Sequence, residues 1–378
     1  MSSAHNFSSR KGYRADAEPP PSTSSSMLDQ PATNTILGQM SSATAEEVIF
    51  ATETDSGLQA IVILNDTTLG PALAGVRMHA YHSESEAFSD GLSLSLAMTL
   101  KAAAAGLHLG GGTVLVLADP REQKSQNLLR AIGRLMGSLR NQLIAVNDVG
   151  TTSMDMRVMK EEGARVCQRD PSPFTAQGVI ESMKAARLSL DSTDSLEGLH
   201  VAVQGVGNVG QRVVKALVGE GAEVTIADVD ARWASTVASR HDVHVVNANE
   251  LLDVECDVLS PCAMGSVVTP SSIPRLKCRG IVGGANNVVE SREMEAELRE
   301  RSILYVPDIL ASSGGLIALE EELLGNDEEA THQRVRVVGD RTRVLLDKAM
   351  SRSGTTGDVA RELALDRLQT RRRDVSDA

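Results

Sequence analysis

Three glycines in the middle of the chain have the spacing of a phosphate-binding turn. Gly205, Gly207 and Gly210 form the pattern G-x-G-x-x-G, with Asn208 and Val209 between the last two. The first glycine allows a sharp turn, the second lets the backbone approach a pyrophosphate, and the third permits close packing of the following helix. Free N–H groups at that helix's N-terminus attract the phosphate charge. These five residues are therefore candidate cofactor-binding residues.

The stretches around the glycines predict the elements that such a turn requires. Residues 200–204 are a short β-branched run typical of a strand, and residues 211–219 carry apolar side chains on one helical face. Residues 223–227 predict a second strand, which ends at Asp228, 23 positions after Gly205. A carboxylate about 20 residues after the motif binds a ribose 2′-hydroxyl and repels a 2′-phosphate. We predict NAD binding; a helix packed on a sheet without a ligand is the alternative.

The composition restricts the class of protein and its partners. A chain of 378 residues suffices for two domains, and 37 basic against 50 acidic residues give a net charge of −13. This charge argues against nucleic-acid or anionic membrane partners. We find no apolar run of membrane-spanning length and no signal-peptide pattern, and we predict a cytoplasmic protein without a metal site. Four cysteines fit reduced, buried thiols: Cys167, Cys256, Cys262 and Cys278.

Composition and apolar periodicity divide the rest of the chain. Residues 1–43, rich in Ser, Pro, Thr and Ala, predict a disordered tail. Residues 44–180 alternate strands with helices and predict an α/β layer of their own. The predicted strands are 47–52, 58–64, 72–78, 114–118 and 143–146, and the predicted helices are 83–105, 125–139, 316–324, 328–350 and 358–370. The glycines at 110–112 predict a break before a strand, and residues 371–378 a solvated tail.

Eight segments resemble the leucine/valine/phenylalanine branch of the Glu/Leu/Phe/Val dehydrogenases, in that family's order and at nearly its spacing. The resemblance covers residues 46–325. The segments are TLGPALAGVRMH (68–79), MTLKAAAAGLHLGGGT (98–113), NDVGTT (147–152), PSPFTAQGV (171–179), QGVGNVG (204–210), SPCAMG (260–265), GGANN (283–287) and PDILASSGG (307–315).

The resemblance implies an α/β protein of two domains with a deep cleft. Residues 44–180 would form a substrate-binding and oligomerisation domain, residues 181–315 a Rossmann-type NAD-binding domain, and residues 316–370 helices that fold back. The implied assembly is a homo-oligomer. In the implied reaction, NAD oxidises an L-amino acid to an imine, and water then releases ammonia and a 2-oxo acid.

Two polar residues match positions that carry chemistry in the family. Lys101 of MTLK matches the lysine that binds the substrate carboxylate, and Asp148 of NDVGTT matches the acid that handles protons at the amino nitrogen. Each has a simpler alternative. A lysine near a helix C-terminus is favourable without any ligand, and an aspartate before Val-Gly-Thr-Thr is typical of a turn.

The third catalytic group of the family is absent. The lysine of the family's GGGK is here Thr113, whose hydroxyl does not ionise near neutral pH and cannot act as a tuned base. The family's NAGG asparagine is Ser312, the acidic neighbour of the catalytic aspartate is Asn147, and a loop is shortened to CQRD. His108 could replace the base only if it pointed into the cleft. These departures predict altered or lost chemistry.

The cofactor and side-chain positions depart less. Further residues that match the family's cofactor lining are Thr152, Thr175, Ala263, Asn286 and Asn287. The substrate side-chain pocket carried over from the family comprises Leu73, Val146, Leu316 and Leu319, although four such residues are equally ordinary in a core. The pocket is apolar and has no cation for a second carboxylate, which disfavours a glutamate-sized ligand.

Three hypotheses follow from these residues. The first is an NAD-dependent amino-acid dehydrogenase for aliphatic or related substrates, with impaired catalysis. The second is a nucleotide-binding pseudoenzyme that acts as a regulatory or assembly subunit. The third is an enzyme that reduces a preformed imine, for which no water-activating lysine is needed.

Overall fold

The computed structural model describes residues 35–263, 265–352 and 354–376. The chain divides into two units, Met1–Ser42 and Ala43–Ala378. In the first unit, residues Ile36–Ser42 form helix α1, so the prediction of a disordered tail is wrong for this segment. Residues 1–34 lie outside the described residues. All further elements belong to the second unit.

The second unit begins with a mixed five-stranded sheet. Its strands are β1 (Glu47–Glu53), β2 (Leu58–Asp66), β3 (Ala72–His79), β4 (Gly110–Leu117) and β5 (Leu143–Asn147), and its helices are α2 (Glu84–Ala105), α3 (Gln126–Ser138) and α4 (Ser153–Glu161). The strand order is β1-β2-β4-β3-β5. β1, β2 and β4 pair antiparallel, whereas β3 lies parallel to both β4 and β5. β2, β3 and β4 are almost wholly buried, which explains their continuous apolar sequences.

The glycine cluster is the start of strand β4, not the break that we predicted. A Cβ on Gly111 would lie 2.1 Å from the backbone nitrogen of Thr99 in α2, and one on Gly110 would lie 2.2 Å from the carbonyl oxygen of Asp66. Both obstacles are backbone atoms, so neither position can hold a side chain. Gly111 therefore lets α2 lie directly against β4, and Gly110 lets β4 lie close to the end of β2. Thr99 of α2 donates a hydrogen bond to Asn65 Oδ1 of β2 at 2.7 Å.

Both ends of helix α2 are capped. The hydroxyl of Ser83 accepts from the backbone N–H of Glu86, and Gly106 closes the other end at φ 77°, a left-handed conformation that favours glycine. Lys101 lies in the last two turns of this helix. Its position is therefore fixed by the caps and by the close contact with β4.

The second sheet is parallel throughout. It comprises β6 (His200–Gln204), β7 (Glu223–Ala227), β8 (His244–Val245), β9 (Cys256–Pro261), β10 (Cys278–Ile281) and β11 (Leu304–Tyr305), with helices α5 (Ser172–Asp191), α6 (Gly210–Gly219), α7 (Ala231–His241) and α8 (Arg292–Glu300). The order β11-β10-β9-β6-β7-β8 is that of a doubly wound nucleotide-binding sheet, in which ligands lie where the order reverses, here between β6 and β9. The predicted fold class is confirmed.

The last part of the chain is helical and folds back over both sheets. Its helices are α9 (Asp308–Ala311), α10 (Gly314–Leu323), α11 (Glu328–Val335), α12 (Val337–Met350) and α13 (Thr356–Ser376). The helix predicted over 328–350 is divided at Arg336. Ala364 and Leu368 of α13 pack on Ala103 of α2. Within the described residues, no helix is long and apolar enough to cross a membrane.

The C-terminal basic residues belong to helix α13, which continues past the predicted end at residue 370 to Ser376. Arg372 forms an ion pair with the buried carboxylate of Asp66 and donates to Thr68 Oγ1 at 3.2 Å. Residues 371–374 are exposed although they are helical, and Arg372 ties this end of the chain to the first sheet.

The contact between α2 and β4 predicts the cost of a single methyl group. We expect Gly111→Ala to lower the free energy of unfolding by at least ~1–3 kcal/mol, because the new Cβ overlaps helix backbone that cannot shift alone. Urea unfolding measures the change. Gly219→Ala is the control, since nothing lies within 4 Å of its Cβ position. Equal stability of the two variants would contradict the glycine-dependent packing.

Candidate active site

A cleft of about 420 Å³ lies between the two sheets and brings together most of the predicted site residues. The predicted residues that line it are Lys101, Val146, Asn147, Asp148, Thr175, Val209, Asn286, Asn287, Ser312, Leu316 and Leu319. Two others, Leu73 and Thr113, are fully buried and do not line it. Leu73 packs in the core cluster that also holds Ile144 and Leu319.

Lys101 is buried in the cleft wall, in contrast to a solvated lysine at a helix end. Its Nζ donates to Asn286 Oδ1 at 2.6 Å and to Ser312 Oγ at 2.8 Å. Burial lowers the pKa of Lys101, and the carboxylate of Asp308 opposes that effect. The amine is therefore less strongly held in its charged form than an exposed lysine would be.

The hydroxyl of Ser312 joins Lys101 to the backbone of helix α9. It accepts from Lys101 and donates to the carbonyl oxygen of Asp308 at 2.7 Å. The carboxylate of Asp308 in turn accepts from the backbone N–H of Asn287, which has the left-handed φ of 54°. These contacts link the loop after β10 to α9, so that Asn286 and Ser312 are both held within hydrogen-bond distance of the Lys101 amine.

Asp148 follows strand β5 and is held by two kinds of contact. Its backbone N–H donates to Thr151 Oγ1 at 3.0 Å, and that hydroxyl donates to the carbonyl oxygen of Val76 at 2.7 Å. The carboxylate is left for the cleft, where Oδ2 accepts from Arg77 Nε at 3.0 Å. Asp148 thus lies in a turn, but Thr151 provides the side chain that caps it. Gly75 leaves the necessary space, since a Cβ there would lie 3.1 Å from Asp148 Oδ2.

Arg77 lies between two carboxylates. Besides Asp148, it binds Asp90 Oδ2 through Nη1 at 2.8 Å, and the same oxygen accepts from the hydroxyl of Tyr81 at 2.6 Å. Burial by itself would lower the pKa of Arg77, but the charges of Asp148 and Asp90 outweigh it and the pKa is raised. The cation beside Asp148 is therefore permanent and cannot serve as a base.

Thr113 does not line the cleft but pairs with Gly75 of the neighbouring strand β3. The residue is fully buried in β4, and its hydroxyl donates to the carbonyl oxygen of Gly75 at 3.1 Å. Gly75 itself lines the cleft beside Asp148. His108 does not replace a base, because its side chain is 81% exposed and outside the cleft lining.

The glycine turn has the geometry that each of its positions requires. Gly205 has φ 82°, and a Cβ there would lie 2.7 Å from Cβ of Ala263. A Cβ on Gly210 would lie 1.9 Å from the carbonyl oxygen of Gly205, whereas nothing lies within 4 Å of the Cβ position of Gly207. Helix α6 begins at Gly210, and Val209 in the N-cap position makes no side-chain cap. The turn is thus tight at its ends and open at its middle glycine.

Three further predicted residues lie near this turn or away from the cleft. Asp228 accepts from the backbone N–H of Val206 at 2.8 Å and of Asp230 at 3.0 Å. Asn208 is exposed, and its carbonyl oxygen accepts from Arg212. Thr152 is also exposed and caps helix α4, where its hydroxyl accepts from the backbone N–H of Asp155.

Sequence reasoning missed the polar residues that position the site. Arg77 and Asp308 lie within two of the quoted segments, TLGPALAGVRMH and PDILASSGG, but nothing in their spacing indicated a partner. Asp90 lies 13 positions from Arg77 on another element. A carboxylate at that distance is visible only once α2 is placed against β3.

The structure combines a doubly wound parallel sheet, which carries an open glycine turn, with a second α/β layer. The cleft between them holds a buried lysine and a carboxylate. This combination defines a nucleotide-binding dehydrogenase of two domains. Residues 44–165 match the model for "Glu/Leu/Phe/Val dehydrogenase, dimerisation domain", and residues 226–341 match "Glutamate/Leucine/Phenylalanine/Valine dehydrogenase". The chain belongs to the Glu/Leu/Phe/Val dehydrogenase family, as the sequence predicted, and has the framework of an amino-acid dehydrogenase.

Individual relatives support the same conclusion over most of the chain. Leucine dehydrogenase of Bacillus cereus is 40% identical over 335 residues, which are 86% of this chain and 90% of the relative. Leucine dehydrogenase of Thermoactinomyces intermedius is 38% identical over 340 residues, 88% and 93% of the two chains. The crystal structure of L-tryptophan dehydrogenase from Nostoc punctiforme has a TM-score of 0.81 at 34% identity, covering 89% of this chain and all of that one.

The burial of Lys101 predicts a pH-dependent stability. Because the folded-state pKa lies below the ordinary 10.5, the unfolded chain binds more protons in that interval, and stability rises with pH. Between the lowered pKa and 10.5, the free energy of unfolding of the wild-type protein should rise by up to ~1.4 kcal/mol per pH unit relative to that of Lys101→Met. Urea unfolding from pH 7 to 10 measures this difference, with exposed Lys215→Met as the control. A difference that is constant with pH would contradict a depressed pKa.

Proposed function

We propose that the cleft binds NAD and an aliphatic L-amino acid or its 2-oxo acid, and that oxidative deamination is impaired. One observation carries the second part: Thr113, at the position of the family's catalytic lysine, is buried beside Gly75 and its hydroxyl donates to the backbone. No ionisable base replaces it there, whereas Lys101 and Asp148 both line the cleft. The binding groups are therefore present without the group that activates water.

The nucleotide turn supports NAD as the cofactor. The open space at Gly207 leaves its backbone free to approach a pyrophosphate, and the uncapped start of α6 leaves N–H groups for phosphate oxygens. The carboxylate of Asp228 accepts two backbone N–H groups and retains lone pairs for ribose hydroxyls. Its charge would repel the 2′-phosphate of NADP. The remaining residues that we propose along the cofactor are Gly205, Asn208, Val209, Gly210, Thr152, Thr175, Ala263, Asn286 and Asn287.

The cleft supports a monocarboxylate with an apolar side chain. Lys101 would bind the substrate carboxylate, and Val146, Leu316 and Leu319 would face the side chain. Two arginines also line the cleft, but both are engaged. Arg77 pairs with two carboxylates, and Arg169 donates to Thr331 Oγ1 at 2.7 Å and to the carbonyl oxygen of Asn326 at 2.6 Å. A second substrate carboxylate would therefore have to displace an existing contact, which disfavours dicarboxylates.

In the proposed chemistry, NAD when bound would supply the hydride acceptor. Asp148 would take and return a proton at the amino nitrogen of the substrate, while Lys101 holds the carboxylate. Hydrolysis of the imine then requires a second base to deprotonate water. A threonine hydroxyl and a guanidinium cannot provide one, and Asp148 is engaged with Arg77 and with the amino nitrogen. The step that this chain performs poorly is thus the addition of water, which leaves reduction of an imine formed elsewhere as an alternative activity.

A nucleotide-binding pseudoenzyme is the second candidate. The observation that favours it is that Lys101 and Asp148 are both satisfied by protein groups, Lys101 by Asn286 and Ser312, and Asp148 by Arg77. We also propose that the chain assembles with copies of itself and is cytoplasmic. The match of residues 44–165 to a dimerisation domain supports the assembly, and its four free cysteines are consistent with a reducing compartment.

Cofactor choice is tested at Asp228. NADH should bind clearly more tightly than NADPH, and Asp228→Ala should narrow the difference by ~1–3 kcal/mol, because the carboxylate no longer bonds the ribose or repels the 2′-phosphate. Isothermal titration measures both affinities. Asp230→Ala removes the same charge from the helix cap two residues away and should leave the preference unchanged. Equal affinity for both nucleotides in the wild-type protein would refute the assignment.

Catalysis is tested at Thr113. Oxidative deamination of leucine or valine should be very slow or undetectable in the wild-type protein, because a missing general base costs ~10²- to 10⁴-fold. Thr113→Lys should restore a large part of that factor, because it returns an ionisable amine to a strand position beside Gly75, which lies next to Asp148. If Ser312 misplaces the substrate, Thr113→Lys with Ser312→Asn is the stronger test, as residues that act together are not additive. NADH formation at 340 nm gives the rate.

The matched control is Thr113→Met, which adds similar bulk without an amine and should gain nothing. Ordinary turnover of leucine or valine by the wild-type protein would show that the loss of the lysine is not disabling. If neither lysine variant gains turnover while NADH still binds, and Lys101→Ala changes nothing, the pseudoenzyme is the better description.

A further inference from the structure

A second cavity, of about 330 Å³, lies among helices α2, α9, α12 and α13, apart from the cleft. Most of its wall is apolar. The apolar residues that line it are Ala103, Ala104, Leu310, Val337, Val344, Leu345, Ala360 and Leu363. Its volume lies at the lower end of the ~300–1,000 Å³ typical of small-molecule sites.

Two arginines from different helices face this cavity. Arg341 of α12 donates through Nη1 to the carbonyl oxygen of Ala104 at 3.1 Å, and Arg367 of α13 donates through Nη1 to that of Ala103 at 3.3 Å. Each guanidinium has five N–H donors. Nε of Arg341 is buried and has no hydrogen-bond partner within the described part of the chain. A buried donor without an acceptor is costly, and such a group indicates a missing partner.

The charges around the cavity are mainly positive. Burial lowers the pKa of both arginines. The positive charge of Arg334 lowers the pKa of Arg341 further, and the positive charge of Arg341 lowers that of Arg367. Of the carboxylates nearby, Glu320 partly offsets the effect on Arg367 but already accepts from the backbone N–H of His108. Asp340, at the cavity rim, is bonded to Arg343 at 3.1 Å. An added anion would relieve the repulsion between the two guanidinium groups.

We propose that this cavity binds a small apolar carboxylate, with its carboxylate on Arg341 and Arg367 and its hydrocarbon part among Leu310, Leu345 and Leu363. A guanidinium pairs with a carboxylate through two parallel N–H···O bonds, which would give the free donors their acceptors. The apolar wall excludes a bare inorganic anion as the best ligand, because it would leave most of the cavity unfilled.

The cavity adjoins the elements that carry the cleft's polar groups. Ala103 and Ala104 follow Lys101 by two and three residues, and Leu310 follows Asp308 by two. A bound ligand would therefore contact both α2 and α9, the helices whose residues meet at the Lys101 amine. The site is nevertheless separate from the cleft, and its occupation does not depend on the proposed reaction.

Octanoate is the probe, and isothermal titration into the full-length protein is the measurement. We expect saturable binding, weakened roughly tenfold or more in Arg341→Gln and in Arg367→Gln, because each loses a charged hydrogen bond. Arg371→Gln removes the same charge from an exposed position on α13 and should bind like the wild type. Octanol, with the same chain and no charge, should bind far more weakly, and inorganic phosphate should not compete.

A further variant tests the cavity without removing the hydrogen bonds that the two arginines make to helix α2. Val344→Trp fills the cavity from a residue that is 51% exposed, so it should fold normally and yet abolish octanoate binding. Melting temperatures show whether each variant is folded. The proposal is overturned if octanoate does not bind, or if the two arginine variants and Val344→Trp bind it as the wild type does. It is also overturned if only Lys101→Ala removes binding, because octanoate would then lie in the cleft. NADH binding is measured separately, so failure here leaves the proposed function unaffected.

Discussion

One buried ammonium group joins the two halves of the structure. Lys101 comes from helix α2 of the first sheet, whereas its acceptors, Asn286 and Ser312, follow β10 and α9 of the second half. An ammonium removed from water requires polar partners, and here they must come from across the cleft. The carboxylate of Asp308 adds an opposite charge nearby. The relative placement of α2 and α9 is therefore tied to the solvation of a single side chain.

The position of the ammonium depends on the close contact between α2 and β4. A side chain at Gly111 would overlap the backbone of Thr99 in α2, so any residue but glycine there would push the helix outward. Displacement of α2 would move Lys101 relative to Asn286 and Ser312, whose hydrogen bonds are 2.6 and 2.8 Å long. The absence of a side chain at Gly111 and the geometry of the cleft therefore depend on each other.

Local patterns predicted the nucleotide-binding sheet well, and long-range contacts explain what they missed. Strands 200–204 and 223–227 agree with β6 and β7 because turn chemistry and β-branched runs act within a few residues. The glycines at 110–112 read locally as a break, yet they continue a strand because neighbours far along the chain require the absence of a side chain. The same distinction holds in the site. Sequence motifs indicated Lys101 and Asp148, whereas the pairing of Arg77 with Asp90 and Asp148 depends on how the elements pack in the fold.

The same arginine explains how the fold accommodates a threonine at position 113. The carboxylate of Asp148 is only 26% exposed, and a charge partly removed from water is costly without a partner. Asp148 keeps a cation, because Arg77 donates to it directly, and its backbone is held independently by Thr151.

Thr113 also satisfies its own polar atom by donating to Gly75. The fold therefore satisfies the polar groups around position 113 without a lysine there. Stability does not require an ionisable group at this position, although Asp148 and Lys101 keep ionisable groups in the cleft.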